Sequence, residues 1–157
     1  MQQRESDKMS TTTLRPTPGG VGCVPRIVGE KLRRAGLRPT RQRLALGWLL
    51  FGKGDRHLTA EQLYEEARAA RVNMSLATVY NTLRQFTESG LLREVALFGS
   101  KVWYDTTTGP HYHYYVEDRD EVFDIPETML PQLTVPGVPE GMVVAGVDVI
   151  VRLKKAP

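Results

Sequence analysis

SLATVYNTLRQFTESGLL, residues 75–92, decides how this chain folds. Leu76, Val79, Leu83 and Phe86 recur at helical spacing and define one apolar face. Ser75 is a good N-cap and Gly90 a stop signal, which brackets a helix between them. The run that follows, LLREVALFGSKVWYD, reads as two strands around a Phe98-Gly99-Ser100 turn, a β-hairpin. Upstream, the spacing predicts three more helices. The first opens at Pro25 and stops at Gly36, with Ile27, Val28 and Leu32 backed by Lys31, Arg33 and Arg34. Pro39 breaks the chain, and Thr40 caps a second helix to about residue 52, with Leu44, Trp48 and Phe51 on one face. Thr59 and Gln62 fit a capping box for a third, in which Ala60, Leu63, Tyr64 and Ala67 keep the helical period to about residue 71. Short helices followed by a hairpin describe a winged helix-turn-helix over residues 25–105.

The remainder follows from composition. A length of 157 residues suits one domain or two small ones, and 41% hydrophobic with 25% charged residues is a soluble, globular balance. No apolar run approaches the roughly 20 residues of a membrane span, and the N-terminus has no hydrophobic signal segment, so the expected compartment is the cytoplasm. Residues 1–24, rich in Ser, Thr, Pro and Gly, read as a disordered tail. Cys23 is the only cysteine, which excludes an intrachain disulfide and a CxxC zinc ribbon. In GCVP it sits close to a proline, a setting in which a thiolate can ligate haem. Val24 intervenes, and a free thiol is the plainer reading.

TTTGP, 106–110, reads as a hinge, and residues 111–157 as a second, β-rich domain. HYHYYVE and EVFDI are strands around an acidic turn, Asp118 to Asp120. PETMLPQL could be a short helix from Pro126, and MVVAGVDVIVRLKK a strand with Val147, Val149 and Val151 on one face. About 50 residues make a marginal core, so this unit is expected to dimerise. The fold class is α+β: a winged helix followed by a small α/β dimerisation domain.

Charge divides the same way. Residues 26–105 carry 14 Lys and Arg against 8 Asp and Glu, whereas residues 106–157 carry 4 against 8. A basic first half is an electrostatic footprint for nucleic acid. In a winged helix the helix before the wing enters the major groove, and here that helix presents Ala77, Thr78, Asn81 and Gln85 opposite its buried stripe. Tyr80 and the Thr78 methyl suit thymine methyls, Asn81 suits adenine, and Arg84 suits guanine or phosphate. Arg38 and Arg41 suit phosphate or a narrow minor groove. With the cap hydroxyls of Thr40 and Ser75, these residues make up the candidate DNA-binding set.

The chain has three histidines, His57, His111 and His113. On a strand, residues two apart share a face, so His111 and His113 can present two imidazoles to one ion, with Tyr112 and Tyr114 turned away. Alone, an H-x-H pair is weak evidence for a site and favours ordinary surface or core histidines.

GLRPTRQRLAL, HLTAEQLYEEA, SLATVYNTLRQFTESGLL, GSKVWYD and the later HYH, in that order, resemble the ferric uptake regulator family over about residues 26–125. The resemblance implies a homodimer that binds AT-rich palindromic operators on double-stranded DNA and senses metal, peroxide or haem. It also implies a transcription regulator rather than an enzyme. The resemblance puts the family's minor-groove base on Arg38 and its thymine-contacting tyrosine on Tyr80. Asn81 stands where a basic residue often follows that tyrosine. It also implies a sensory site of His57, Asp105, His111 and His113, which accounts for every histidine in the chain. Such a set takes one divalent transition metal per subunit, Fe(II), Mn(II), Zn(II) or Co(II), and does not choose among them. The family's two CxxC pairs are absent. VEDRDEVFDIP in their place looks most like the iron response regulator branch, which leaves haem open, with His111, His113 and Cys23 as its candidate ligands. Repressor and activator are not distinguished, although the family's usual role is repression. The alternatives weighed are a DNA-binding regulator whose ion is only structural, a metal-dependent hydrolase and a haem carrier.

Overall fold

Helix α4 (Leu76–Glu88) is the centre of the first half. Ser75 Oγ accepts the Thr78 amide at 3.1 Å, so the cap read from the sequence is formed. Val79, Leu83 and Phe86 are fully buried. The computed structural model describes residues 23–97, 101–125 and 135–156. Most of the N-terminal tail, the Phe98-Gly99-Ser100 turn and the helix expected from Pro126 therefore lie outside the described residues.

Of three further helices, α2 (Arg41–Phe51) and α3 (Ala60–Ala69) pack against α4, and α1 (Cys23–Arg34) packs on α2. α1 begins two residues before Pro25. This is tolerated because amides in a helix's first turn have no intrahelical acceptor, so the missing N–H of proline costs nothing there. The capping box of α3 is present in both directions: Thr59 Oγ1 accepts the Gln62 amide, and Gln62 Oε1 accepts the Thr59 amide.

The expected face of α2 needs correction. Trp48 is 46% exposed, and the buried residues are Leu46, Gly47, Leu49 and Leu50, with Leu44 and Phe51 only partly covered. The helix is sandwiched between α1 on one side and α3 and α4 on the other, so it buries two adjacent faces rather than one stripe. Gly47 permits the approach of α1. A Cβ there would stand 2.6 Å from Val28 Cγ1, and Val28 is itself buried. Gly47→Ala is therefore expected to lower stability by up to about 2 kcal/mol. Overpacking of about 1–3 kcal/mol outweighs the roughly 1 kcal/mol gain in helix propensity. Urea denaturation would measure it, and a stabilised variant would show that α1 yields.

Two three-stranded sheets complete the fold. In the first, β3 (Trp103–Asp105) lies between β1 (His57–Thr59) and β2 (Arg93–Val95), all antiparallel. β2 and β3 are the expected wing. β1 was not expected, because its three residues were absorbed into the helix cap that follows. In the second sheet, β4 (Tyr112–Val116) lies between antiparallel β5 (Glu121–Ile125) and parallel β6 (Ile150–Leu153). The last strand is shorter than expected and holds Val151 but not Val147 or Val149. Parallel register pairs His113 with Ile150; the Val149 carbonyl still accepts the His113 amide at 3.0 Å, whereas Val147 falls opposite Pro110, which offers no amide. Val143, at 88% exposure, and Val144 and Val147 consequently have no sheet to cover them. A small core joins the sheets: Val95 and Trp103 of the wing pack with Val122, Tyr115 and Ile150 of the second.

Candidate metal centre and nucleic-acid face

The strand registers assemble the centre. β1 pairs His57 directly with Asp105 of β3. β4 pairs His113 with Asp124 of β5. His111 lies just before β4, at the end of the hinge, and its ring centroid is 4.5 Å from that of His113. The ligand atoms of His57, Asp105, His111, His113 and Asp124 all fall within 4.8 Å of one another. Asp105 Oδ2 is 2.8 Å from His111 Nε2, 3.3 Å from His113 Nε2 and 3.5 Å from His57 Nε2. Asp124 Oδ1 stands 3.0 and 3.1 Å from the Nε2 atoms of His57 and His111. All four residues of the expected set are thus brought together. Asp124 joins them, a residue the sequence reading missed because its placement depends on the exact β4–β5 register.

These residues form a group that could hold a cation. Asp105 is fully buried and His113 nearly so, whereas Asp124 is partly open to solvent. The Nε2 atoms of His57 and His111 are buried yet make no hydrogen bond, although carboxylate oxygens are near. Their angles do not suit donation to those oxygens, and an orphaned buried nitrogen is costly unless something else takes its lone pair. Outer contacts hold the ligands in place. His111 Nδ1 meets the Gly109 carbonyl at 2.7 Å, which as a donor leaves Nε2 free to coordinate. Asp105 Oδ1 accepts the Thr107 amide at 2.7 Å, leaving Oδ2 for the centre. Burial opposes ionisation of Asp105, but the His113 and His57 imidazoles and the Thr107 amide outweigh it and hold the carboxyl well below the usual range. Three imidazole nitrogens and two carboxylates suit Zn(II), Fe(II), Mn(II) or Co(II).

Cys23 begins α1, and its side chain lies outside the described residues. The haem expectation for His111 and His113 does not fit this geometry. Both imidazoles converge with a third and two carboxylates on one small buried point, which leaves no space for a macrocycle.

Beside the centre, Tyr104 is buried at 4% exposure, and burial, with Glu94 as the next cause, pushes its phenol up to about 12. A raised folded value means that the neutral phenol stabilises the fold below its ordinary value near 10 and that this contribution is lost as pH rises through about 12. Wild type should therefore lose stability over that alkaline window more steeply than Tyr104→Phe, as followed by denaturant midpoints. Parallel curves would refute the assignment.

On the opposite side, α4 exposes Ala77, Tyr80, Asn81 and Arg84. Tyr80 donates its hydroxyl to Glu61 of α3, and Arg84 pairs with Glu88 at 4.0 Å. Thr40 and Ser75 spend their hydroxyls on helix caps, accepting the amides of Arg43 and Thr78. Arg38 and Arg41 are exposed. Arg43, which the sequence reading passed over, clasps the two elements. Its guanidinium donates to Gln85 Oε1 at 2.9 and 3.0 Å and to the Arg38 carbonyl at 2.8 Å.

A winged helix joined to a second sheet through a buried cluster of histidines and carboxylates defines the class. The ferric uptake regulator family model matches residues 34–138, and the chain belongs to that family. Among curated relatives, the peroxide operon regulator of Bacillus subtilis is 38% identical over 95 residues, which is 60% of this chain and 65% of that protein. The peroxide-responsive repressor PerR of Staphylococcus epidermidis is 36% identical over 93 residues, 59% of this chain and 61% of that one. The match thus spans less than two thirds of these relatives' length. These are peroxide regulators, so the narrower likeness to the iron response regulator branch is not supported. The fold is shared with the manganese-containing ferric uptake regulator structure from Pseudomonas aeruginosa, with a TM-score of 0.65, 24% identity, and 83% of this chain against 99% of that one. It is shared equally with the Vibrio cholerae ferric uptake regulator, with a TM-score of 0.64, 24% identity, and 81% against 98%. Among the described residues, no helix is long and apolar enough to cross a membrane.

Proposed function

We propose that this protein is a metal-responsive transcription regulator that binds AT-rich palindromic operators as a homodimer, with one divalent transition metal per subunit. The observation that carries the reading is the cluster of orphaned Nε2 atoms and carboxylates spanning both halves of the chain. His57 and Asp105 come from the wing sheet; His111, His113 and Asp124 come from the hinge and the second sheet. A cation bound there supplies the positive charge that two adjacent carboxylates lack and gives each half a bond to the same point.

The chain's own residues do the rest. Arg93 of β2 reaches the Gly109 carbonyl and the Asp148 carboxylate, and Lys101 meets Asp120, so the wing is tied to the second sheet on two sides of the centre. Gathering the five ligands fixes the hinge, residues 106–110, in one conformation. That would set the spacing of the two α4 helices in a dimer to successive major grooves. Arg38 and Arg41 serve phosphate or the minor groove, while Thr78, Tyr80, Asn81 and Arg84 meet base edges. The test is duplex affinity of metal-stripped protein at fixed salt, with and without Fe(II), Mn(II) or Zn(II). Tightening by metal supports the reading, and equal affinity throughout makes the ion structural only.

A second reading concerns the signal. The curated relatives named above are peroxide regulators. On that reading, peroxide weakens the duplex binding of the metal-loaded protein.

A further inference from the structure

Three helices of this chain end in the same way. α1 places Gly36 in the left-handed region at φ +76°, with the Leu37 amide on the Leu32 carbonyl and the Gly36 amide on the Arg33 carbonyl. α4 repeats this with Gly90 at φ +73°, Leu91 on Phe86 and Gly90 on Thr87. α3 repeats it again, with Val72 on Ala67 and Arg71 on Arg68, but here the left-handed residue is Arg71, at φ +57°. This is the paired-bond C-terminal motif whose left-handed position glycine fills without strain. An arginine there is disfavoured by its Cβ, and strain kept at one of three equivalent positions points to a use for the side chain.

The surroundings say what the use is. Half of the cations of the described wing region pair with a carboxylate, among them Arg26 with Glu30, Arg56 and Lys53 with Glu66, Arg68 with Glu65, and Arg84 with Glu88. Arg71 and Arg41 are exposed, and neither guanidinium makes an ion pair or hydrogen bond with any described residue. Together they line one cavity of about 560 Å³, with Gln42 and Asn73, immediately before the cap of α4. Gln42 also lines the neighbouring recess that holds Thr78 and Asn81 of α4, so the two arginines adjoin the base-reading face. Unpaired guanidiniums with amide donors between them match a phosphodiester oxygen in charge and in hydrogen-bonding capacity.

We propose that Arg71, with Arg41, forms a DNA phosphate site at the α3–α4 turn, and that Arg71 keeps its left-handed backbone for this purpose. This rests on the reading of the chain as DNA-binding. The full-length, Mn(II)-loaded protein is titrated with an AT-rich duplex of about 30 base pairs between roughly 50 and 200 mM salt. Each phosphate contact adds about 0.9 to the slope of log affinity against log salt. With one Arg71 in each subunit of the dimer, Arg71→Gly should therefore flatten that slope by about 1.8, so that wild type loses about twelvefold more affinity than the variant across the range. Arg71→Lys should keep the slope, and Arg41→Ala, which leaves the turn untouched, should flatten it likewise. The melting temperature of Arg71→Gly should equal or exceed that of wild type, because glycine suits the left-handed position. An unchanged slope in Arg71→Gly overturns the proposal, and so does a melting temperature lowered by several degrees, which would make the side chain structural. If wild type binds no duplex at any salt, the DNA-binding reading itself fails, and this site fails with it.

Discussion

Replacing His113 by alanine is expected to weaken divalent-metal binding by at least about 100-fold, since loss of outer contacts alone costs 10–100-fold, and to erase any metal dependence of duplex affinity. His113 is 1% exposed, and its Nε2 lies 3.3 Å from Asp105 Oδ2. Its removal takes one of three imidazoles and leaves Asp105 buried beside Asp124 with less positive charge to face. The winged helix should survive, because the Val28–Tyr104 core does not include β4. Two readouts separate the effects: calorimetric metal titration, and duplex binding at low salt, where sequence-independent phosphate contacts persist. A variant that still tightens on duplex with metal would place the sensory ion elsewhere.

Phe86→Ala should cost about 3–5 kcal/mol, a large share of the 5–15 kcal/mol that holds a typical domain together. Phe86 is fully buried under α4, with its ring centroid 6.1 Å from that of Phe51 on α2. Thermal melting should fall by on the order of 10 °C. Metal should restore part of the loss. Ligand at a hundred times its dissociation constant adds about 2.7 kcal/mol to whatever state binds it, and His57 and Asp105 belong to the same folded unit as Phe86. Melting curves of the metal-stripped and Mn(II)-loaded variant measure both terms. A variant equally unstable with and without metal would show that the centre forms independently of the helical core.

Much of this was legible because short-range physics fixes it. The N-caps at Thr40, Thr59 and Ser75 and the glycine stops at 36 and 90 depend on a few adjacent residues, and they fall where the sequence places them. His111 and His113 follow from strand alternation together with family resemblance, as His57 and Asp105 follow from resemblance alone. What escaped depends on distant partners. Asp124 reaches the centre only through the β4–β5 register, and Trp48 is exposed because α2 is covered on two adjacent sides. Arg43 looked like one more surface cation until α4 brought Gln85 within 3.0 Å. The alternation of Val147, Val149 and Val151 reaches β4 only from the Val149 carbonyl onward, because Val147 falls opposite Pro110.

The central claim is that one ion couples the two halves of the chain to DNA. Coupling of this kind is reciprocal: duplex must tighten metal binding by the same factor by which metal tightens duplex binding. The direct measurement is a calorimetric titration of Mn(II) into metal-stripped protein, alone and with saturating AT-rich duplex. Metal binding is expected to tighten in the presence of duplex, by a factor equal to that seen when duplex affinity is measured with and without Mn(II). Identical metal affinity in both titrations would contradict it and leave the His57–Asp105–His111–His113–Asp124 centre a structural brace.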